Sequence, residues 1–471
     1  MKTIEIAHRL SALLLLPLSV GSVGTSQAQE KPAAAPTNFP VAMPKVEPQD
    51  GDTFVFLGDS ITHQCLYTQY VEDYFYTRFP DRRLRFHNAG VSGDRAADAL
   101  RRFDRDVASF RPNYVSILLG MNDGSYTWFK QDVFDTYQRD MTMLLDQLAG
   151  TGAKIAPMHP TMFDARAARL AGKGDKEPNT SLYNSVLAFY GAWLYETANR
   201  RGLGFVDMYS PLNQITLEQR QTDPKFTLIR DAVHPGQDGQ VVMAVAMLND
   251  LFVRGPMGSI AVTLGAGGKP AASSVNGAVS ELSGEGGTIR FTHLAKALPW
   301  VLPEDARLGY KLTKAGHKFS QERFTAVGLA PGKYELAIDG TVVGSWTHAQ
   351  LARGVELEEN EKTPQYQQAL AVAKANADRN SQIVKKLRDW WLQLKIRNYQ
   401  LAGWKAQNPN APAADTEAKE VEFAAWQKEF DVAVPDLEKQ AQAAADAIYQ
   451  INQPKPHAYE LRPAPKPAAA P

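Results

Sequence analysis

The stretch FVFLGDS, residues 54–60, determines the expected fold of this chain. Four apolar residues followed at once by a glycine turn are typical of a short strand that is buried on both faces. A helical pattern begins directly afterwards and continues to about residue 79. A buried strand that leads through a tight turn into a helix predicts the first unit of a parallel α/β sheet.

The same alternation continues to residue 255. Further strands are predicted at residues 84–88, 114–119, 154–158 and 204–207, and further helices at residues 96–110, 134–148, 182–199 and 239–252. Apolar strands that alternate with helices predict a parallel sheet covered on both faces, with an α/β fold class. Ligands of such sheets bind at the carboxyl ends of the strands, so functional residues are expected there.

The N-terminus has the pattern of a secretory signal peptide. Residues 1–28 combine a basic start, a short apolar run and small residues, with cleavage predicted near Ala28. A membrane anchor is the alternative, but a span needs about 20 apolar residues and this run is about half as long. We therefore expect a secreted or periplasmic protein. Residues 29–50 are rich in proline and alanine, which predicts an extended linker.

The sequence beyond residue 255 changes character twice. Residues 256–355 contain alternating runs and the hairpin dipeptide Asp339-Gly340, which predicts a small β-rich unit. Residues 356–453 carry apolar side chains at helical spacing on both sides of a proline break, which predicts a C-terminal helical hairpin. Residues 454–471 are proline-rich and are predicted to be a disordered tail.

The overall composition is balanced in charge and contains one cysteine. The 471 residues include 51 basic and 51 acidic side chains, so the formal net charge is zero. This balance gives no indication of nucleic acid or of an anionic membrane as partner. No later apolar run is long enough to span a bilayer, and the single cysteine, Cys65, allows no intrachain disulfide.

Four short segments at the predicted strand ends supply the chemistry of acyl transfer. A serine hydroxyl is a poor nucleophile until a base takes its proton, and His234 is a suitable base for Ser60. Asp231, three residues earlier, is placed to orient the imidazole. The backbone N–H groups of Ser60 and Gly90 and the side-chain amide of Asn122 are predicted to stabilise the oxyanion. Each segment alone is an ordinary turn or helix cap, and their combination makes the prediction specific.

These four segments resemble the signature of the SGNH/GDSL hydrolase family. The neighbouring residues that also match are Gly58, Asp59, Gly120 and Pro235. The resemblance covers about residues 51–255 and implies a flavodoxin-like three-layer α/β/α sandwich. It also implies ester hydrolysis through an acyl-enzyme, with the oxyanion hole formed by the three residues already named.

Candidate substrate contacts lie close to these segments. Asp59 precedes the nucleophile, Tyr126 and Trp128 follow the Asn122 turn, and His159 ends the fourth predicted strand. A packed loop is the alternative for each of them. No group of residues has the spacing of a metal site, so neither a metal nor another cofactor is predicted.

The preferred function is a serine esterase acting on O-acyl, above all acetyl, esters of a polysaccharide. Export and the appended β-rich unit favour this substrate by analogy, since one fold hosts many substrates. A lipase, lysophospholipase or arylesterase is the alternative within the enzyme class. No apolar lid is visible at residues 163–178, where several side chains are charged. A non-catalytic glycan-binding or scaffold protein is the alternative from another class.

Overall fold

A parallel sheet occupies the centre of the N-terminal half in the computed structural model, which describes residues 43–172, 181–253 and 255–465. Its strands are β1 (Thr53–Gly58), β2 (Arg85–Gly90), β3 (Tyr114–Leu118) and β4 (Lys154–Pro157). All pairings are parallel, in the order β2-β1-β3-β4. The strand order reverses at β1, and open parallel sheets bind ligands beside such a reversal. The strand predicted at residues 204–207 is reduced to one bridge, between Met158 and Val206.

Among the described residues, eight α-helices connect and cover these strands. They are α1 (Ser60–His63), α2 (Leu66–Arg78), α3 (Ala96–Asp106), α4 (Gln131–Ala149), α5 (Ala165–Leu170), α6 (Tyr183–Arg201), α7 (Tyr209–Gln219) and α8 (Gln237–Leu251). The helix predicted from residue 62 to 79 is divided at Cys65, whose φ of +60° ends α1 before α2 begins. The predicted parallel α/β core is confirmed.

Aromatic side chains fill the core around the first strand. All six residues of β1 are buried. The ring of Phe54 stacks on Tyr114 of β3 at 4.5 Å between centroids, and on Phe86 of β2 at 5.4 Å. Burial of each such ring stabilises the folded state by about 1.5–3 kcal/mol. The apolar run that indicated the strand therefore also explains its central position in the sheet.

The second half contains two further sheets with a separate apolar core between them. Their strands are β5 (Gly258–Leu264), β6 (Pro270–Val275), β7 (Gly277–Glu285), β8 (Thr288–Ala295), β9 (Glu322–Val327), β10 (Lys333–Ile338), β11 (Thr341–Thr347), β12 (Val355–Glu356) and β13 (Pro456–Pro463). One sheet has the order β11-β10-β13-β8-β7 and the other β12-β9-β5-β6. Three short helices belong to this region: α9 (Arg307–Thr313), α10 (Ala315–Phe319) and α11 (His348–Arg353).

The prediction of a disordered tail is wrong for residues 456–463. These residues form β13, which pairs with β10 on one side and β8 on the other. Tyr459 and Leu461 alternate with polar residues and are buried in the core between the sheets. The flanking prolines, Pro456 and Pro463, obscured this alternation in the sequence. The β-rich region therefore includes a strand that lies after the helical segment.

The linker prediction is also wrong for residues 43–50, whereas residues 29–42 lie outside the described ranges. Val46 is buried and forms a parallel bridge with Phe252. Its N–H donates to the carbonyl of Leu251 at 2.7 Å. Proline and alanine content alone did not reveal this pairing, which depends on one apolar residue inside the segment.

Three long helices form the C-terminal helical region. They are α12 (Pro364–Arg379), α13 (Lys385–Gln407) and α14 (Ala413–Ile451), with one π-helical turn at Asn380–Val384 between the first two. Within the described ranges, we find no helix with the length and apolar character needed to cross a membrane.

Buried ion pairs join the C-terminal helices to the α/β core. Arg388 of α13 is fully buried and binds both carboxylate oxygens of Asp106, at 2.9 and 2.5 Å. The same carboxylate accepts hydrogen bonds from Arg102 at 2.5 Å and from His87 at 3.0 Å. Burial alone would raise the pKa of Asp106, but these partners, Arg388 foremost, outweigh it and hold that pKa well below its usual range.

We expect Asp106→Asn to lower the free energy of unfolding by about 3–5 kcal/mol at neutral pH, because it leaves the buried Arg388 without its counter-charge. The folded-state pKa lies below the unfolded value of about 3.9, so the stabilisation is present above that value and is lost as the pH falls towards the folded pKa. Denaturant titrations of both proteins at pH 7 and pH 3 measure the effect. Asp104→Asn, an exposed change in the same helix, is the control and should change stability little. A difference between wild type and Asp106→Asn that grows in acid would contradict the assignment.

Candidate active site

Ser60 is held at the turn between the first strand and the first helix. β1 ends at Gly58, and Asp59 caps α1 by accepting a hydrogen bond from the N–H of Ile61 at 2.9 Å. A Cβ atom at Gly58 would lie 2.1 Å from Thr62 Oγ1, so only glycine allows this tight turn. The nucleophile predicted from the sequence therefore lies at the carboxyl end of a central strand, as the first residue of a helix.

The structure brings the three predicted catalytic residues together in one hydrogen-bonded chain. The Oγ of Ser60 lies 2.7 Å from Nε2 of His234. The other ring nitrogen, Nδ1, lies 2.7 Å from Oδ2 of Asp231. This geometry requires the proton of a neutral imidazole to be on Nδ1, which leaves Nε2 free to accept the proton of the serine.

The carboxylate of Asp231 is oriented by backbone N–H groups of the turn that follows it. Its Oδ1 accepts the N–H groups of Val233 and His234 at 3.0 and 2.8 Å, so a single tight turn fixes the carboxylate relative to the imidazole. Burial alone would raise the pKa of Asp231, but hydrogen bonds from the backbone and side chain of His234 outweigh it and lower that pKa. The carboxylate therefore stays charged, as an orienting group must.

Asn122 lies in a turn after β3 that is tied to the first residues of α3. Its neighbour Asp123 accepts the N–H of Gly120 at 3.0 Å and that of Ala96 at 2.9 Å. The Oδ1 of Asn122 accepts the hydroxyl of Tyr126 at 3.0 Å, which fixes the orientation of the amide. The amide nitrogen of Asn122 donates to the carbonyl of Asp94 at 3.0 Å and makes a longer contact, at 3.4 Å, with Oδ2 of Asp59.

The structure corrects the predicted role of Gly90 as an oxyanion donor. The N–H of Gly90 already donates to Oδ1 of Asn88 at 2.9 Å. Its lack of a side chain has a packing reason, since a Cβ atom there would lie 2.4 Å from the backbone nitrogen of His63. Gly90 therefore allows β2 to approach α1 closely.

Gly93 is the residue that the sequence analysis missed. It lies in the turn after β2, has a φ of +72°, and immediately precedes Asp94, whose carbonyl accepts the amide of Asn122. Among the described residues, no acceptor takes the N–H of Gly93. The signal in the sequence was a second glycine, in Val91-Ser92-Gly93, within the same loop.

Comparison with known proteins agrees with this geometry. Residues 56–242 match the model of the GDSL-like lipase/acylhydrolase family. This part of the chain belongs to the GDSL family. An acetylxylan esterase of Geobacillus stearothermophilus is 24% identical over 221 residues, which cover 43% of this chain and 94% of that enzyme.

One solved structure is similar over most of the chain. It is a gut microbial diltiazem-metabolizing enzyme, 25% identical, with a TM-score of 0.73 over 89% of this chain and 99% of its own. The similarity therefore extends beyond the GDSL-family region into the β-rich and helical regions. These comparisons make the protein an ester hydrolase.

Asp59 does not lie where a substrate could contact it. Its side chain is only 1% exposed, and burial raises its pKa to about 7. Besides capping α1, its Oδ2 lies 3.4 Å from the amide of Asn122. The prediction of Asp59 as a substrate contact is wrong. Its contacts with the N–H of Ile61 and with the amide of Asn122 stabilise the GDSL-family site from the protein interior.

Tyr126 and Trp128 differ in exposure. Tyr126 is half-buried, has a φ of +53°, and packs its ring 5.1 Å from that of Tyr183. Its hydroxyl reaches Asn122, so it contacts the predicted site directly. The side chain of Trp128 is 52% exposed, and Phe129 beside it is 42% exposed. Aromatic surface is thus available to a substrate next to the Asn122 turn.

His159 is packed against helices rather than placed beside Ser60. Its ring stacks on Tyr209 at 4.6 Å, and its Nδ1 lies 3.5 Å from Asp207. A Cβ atom at Gly191 would overlap the ring, so α6 covers it closely. These contacts do not support the predicted role of His159 in substrate binding.

One group of described residues has the composition of a cation site, and it lies in the β-rich region. His317, Glu356 and Glu358 bring one ligand atom each to within 4.8 Å of one another. The Nδ1 of His317 already lies 2.9 Å from Glu356, so these two side chains are hydrogen-bonded to each other. The group includes none of the candidate catalytic residues.

Proposed function

We propose that this protein hydrolyses esters through an acyl-enzyme on Ser60, with His234 as general base and Asp231 as its orienting carboxylate. The observation that carries this proposal is the continuous chain of hydrogen bonds from the serine hydroxyl to the carboxylate, with both contacts at 2.7 Å. Such an arrangement makes a weak nucleophile reactive.

In the first half-reaction, the Oγ of Ser60 attacks the ester carbonyl and its proton passes to Nε2 of His234. Negative charge develops on the carbonyl oxygen. The donors we assign to it are the backbone N–H groups of Ser60 and Gly93 and the side-chain amide of Asn122. The second N–H of that amide would exchange its long contact with Asp59, at 3.4 Å, for the oxyanion. The first N–H groups of a helix have no partner within it, which leaves that of Ser60 available at the start of α1.

Collapse of this intermediate breaks the ester bond. The imidazolium of His234 returns its proton to the leaving alcohol, and the acyl group stays on Ser60. Water then enters, gives its proton to Nε2, and attacks the acyl-enzyme through the same oxyanion arrangement. The acid leaves and the serine is restored, so atoms and protons balance over the cycle.

The substrate class that we propose is an acetylated carbohydrate. Similarity to an acetylxylan esterase over 94% of that enzyme supports an acetyl ester. The exposed rings of Trp128 and Phe129 support a carbohydrate, because aromatic faces offer rigid apolar surface to a sugar ring. The side chains of His234 and Asp231 are 34% and 45% exposed, which agrees with access for a bulky alcohol.

A panel of esters tests this substrate class. We expect acetate release from acetylated xylan, and p-nitrophenyl esters whose kcat/KM falls by roughly tenfold or more between acetate and octanoate, since each misfitted methylene costs about 1 kcal/mol or more. Each substrate is also incubated with Ser60→Ala to subtract background hydrolysis. Rates that rise with chain length, without acetate release from the glycan, would instead favour a lipase or lysophospholipase.

A second candidate substrate class is a drug-like small ester. The structural similarity to a diltiazem-metabolizing enzyme covers 89% of the chain, including the C-terminal regions. Diltiazem is therefore included in the panel. A higher kcat/KM for diltiazem than for every acetylated glycan would favour this candidate over the carbohydrate.

We also infer that the protein is exported. The inference depends on residues 1–28, which have the composition of a secretory signal and lie outside the described ranges. N-terminal sequencing of the protein recovered from a periplasmic or culture fraction tests it, and an N-terminus near residue 29 is the expected result.

A further inference from the structure

We propose that Lys395, in the C-terminal helix α13, is a positioning residue for the oxyanion donor Gly93, and this inference rests on the proposed function. Lys395 lies far outside the region that matches the GDSL family. Its side chain is 18% exposed and extends into the loop between β2 and α3. Through this contact, a helix that follows the β-rich region becomes part of the esterase active site.

The contact involves the peptide unit that carries the proposed donor. The Nζ of Lys395 donates to the carbonyl oxygen of Ser92 at 3.1 Å and to Oδ1 of Asp94 at 2.9 Å. The carbonyl of Ser92 and the N–H of Gly93 belong to one planar trans peptide, in which the two groups point in opposite directions. Holding the carbonyl therefore fixes the direction of the N–H. A cation on the carbonyl oxygen also polarises the peptide and makes its N–H a better donor.

The other end of Ser92 is held by a second contact from the same helix. Its N–H donates to Nδ1 of His63 at 3.2 Å, and Nε2 of His63 lies 3.0 Å from Asp389 of α13. Burial lowers the pKa of His63 to about 4, so the ring is neutral at physiological pH and Nδ1 can accept. Ser92 is therefore held at its N–H through Asp389 and His63, and at its carbonyl by Lys395.

Arg388, Lys395 and Tyr399 contact this loop from one face of α13. Arg388, one helical repeat of seven residues before Lys395, donates to the carbonyl of Gly90 at 2.9 Å. Tyr399, one turn after Lys395, hydrogen-bonds the side chain of Asp98 at the start of α3. Residues at this spacing share one side of a helix. The loop from residue 90 to 98 is thus held along its whole length, with Lys395 at its centre.

The proposed role makes a specific kinetic prediction for Lys395→Met. Loss of a whole oxyanion donor costs about 10²–10³ in kcat, and we expect a loosened donor to cost roughly tenfold or more, with KM for p-nitrophenyl acetate nearly unchanged. Rates are normalised to the serines that a fluorophosphonate titrates, so any unfolded fraction is not counted. The control is Lys405→Met, in the same helix, whose side chain pairs with Glu420 on the neighbouring helix. Lys395→Arg, which keeps a cationic donor, should recover most of the lost kcat.

Inhibition by phenylboronic acid separates this role from a merely structural one. The boronate forms a tetrahedral adduct with the serine and places an oxygen where the oxyanion develops. We expect Lys395→Met to raise its Ki by the same factor by which kcat/KM falls. Equal kcat and Ki in Lys395→Met and Lys405→Met would overturn the inference, as would a fall in kcat without a rise in Ki. If Ser60→Ala keeps wild-type activity, the proposed function itself fails, whereas an inactive Ser60→Ala beside an unaffected Lys395→Met refutes only the role of Lys395.

Discussion

Replacing Ser60 by alanine is expected to lower kcat for p-nitrophenyl acetate by about 10⁴-fold or more. The change removes the only atom that forms the covalent intermediate, while the oxyanion donors and the binding surface stay in place. Serine hydrolases that lose a triad member retain about 10³–10⁴-fold catalysis over water from those remaining groups. A small residual rate, with KM within a few fold of the wild type, is therefore the expected result.

Ser274→Ala is the matched control for this experiment. The Oγ of Ser274 lies 2.9 Å from Nε2 of His293, so these two side chains form a serine–histidine pair in the β-rich region. Among the described residues, no group is hydrogen-bonded to the other ring nitrogen of His293. Without an orienting carboxylate this pair has no means to activate its serine, and Ser274→Ala should keep full activity. If Ser274→Ala lost activity while Ser60→Ala stayed active, Ser60 would not be the nucleophile.

Fluorophosphonate labelling adds a direct chemical readout. The reagent phosphonylates an activated serine, and peptide mass spectrometry locates the adduct. We expect the label on the peptide that contains Ser60 in the wild type and in Ser274→Ala, and its loss in Ser60→Ala. Labelling of a different peptide at comparable rate would refute the proposed nucleophile even if the mutant rates were ambiguous.

The sequence was sufficient to place the parallel core and to select the residues of the hydrogen-bonded chain. Apolar runs identify buried strands, and strand ends of one sheet converge, so Ser60 and His234 could be paired although they lie 174 positions apart. Asp231 followed from the short turn that joins it to His234. In each of these cases, the local pattern and the topology of the sheet together determine the position.

The choice between Gly90 and Gly93 required the structure. Gly90 ends β2 and Gly93 lies in the turn after it, and the sequence does not show which N–H is already used. The side chain of Asn88 takes that of Gly90, and this depends on a rotamer that no pattern encodes. The burial of Asp59 is a similar case, because an aspartate beside the nucleophile gives no sign that it faces the core.

The part played by α13 also lies beyond reasoning from the sequence. Lys395 and Ser92 are 303 positions apart, on elements that no shared sheet or motif connects. The sequence predicts an amphipathic hairpin, whereas the position of that hairpin on the core depends on buried partners such as Arg388 and Asp106. Long-range contacts between a helix and a loop have no periodic signal, so they appear only once the tertiary packing is known.

Replacing His234 by alanine is expected to lower kcat about as far as the serine substitution does, by about 10⁴-fold or more. Without the imidazole, nothing at Nε2 takes the proton of Ser60 during attack or returns one to the leaving alcohol. The matched control is His457→Ala. His457 lies 2.7 Å from Asp339, the same separation as between His234 and Asp231, but it lies in the β-rich region and should be dispensable for catalysis.

The double variant Ser60→Ala with His234→Ala decides whether the two residues act as one unit. A histidine that only activates the serine has nothing left to do once the hydroxyl is gone, so the double variant should be about as slow as either single one. If the two effects multiplied instead, the histidine would contribute independently, for example by activating water directly on the substrate. That outcome would contradict the acyl-enzyme mechanism while leaving both residues essential. The fluorophosphonate label on the wild type would then show whether Ser60 is a nucleophile at all.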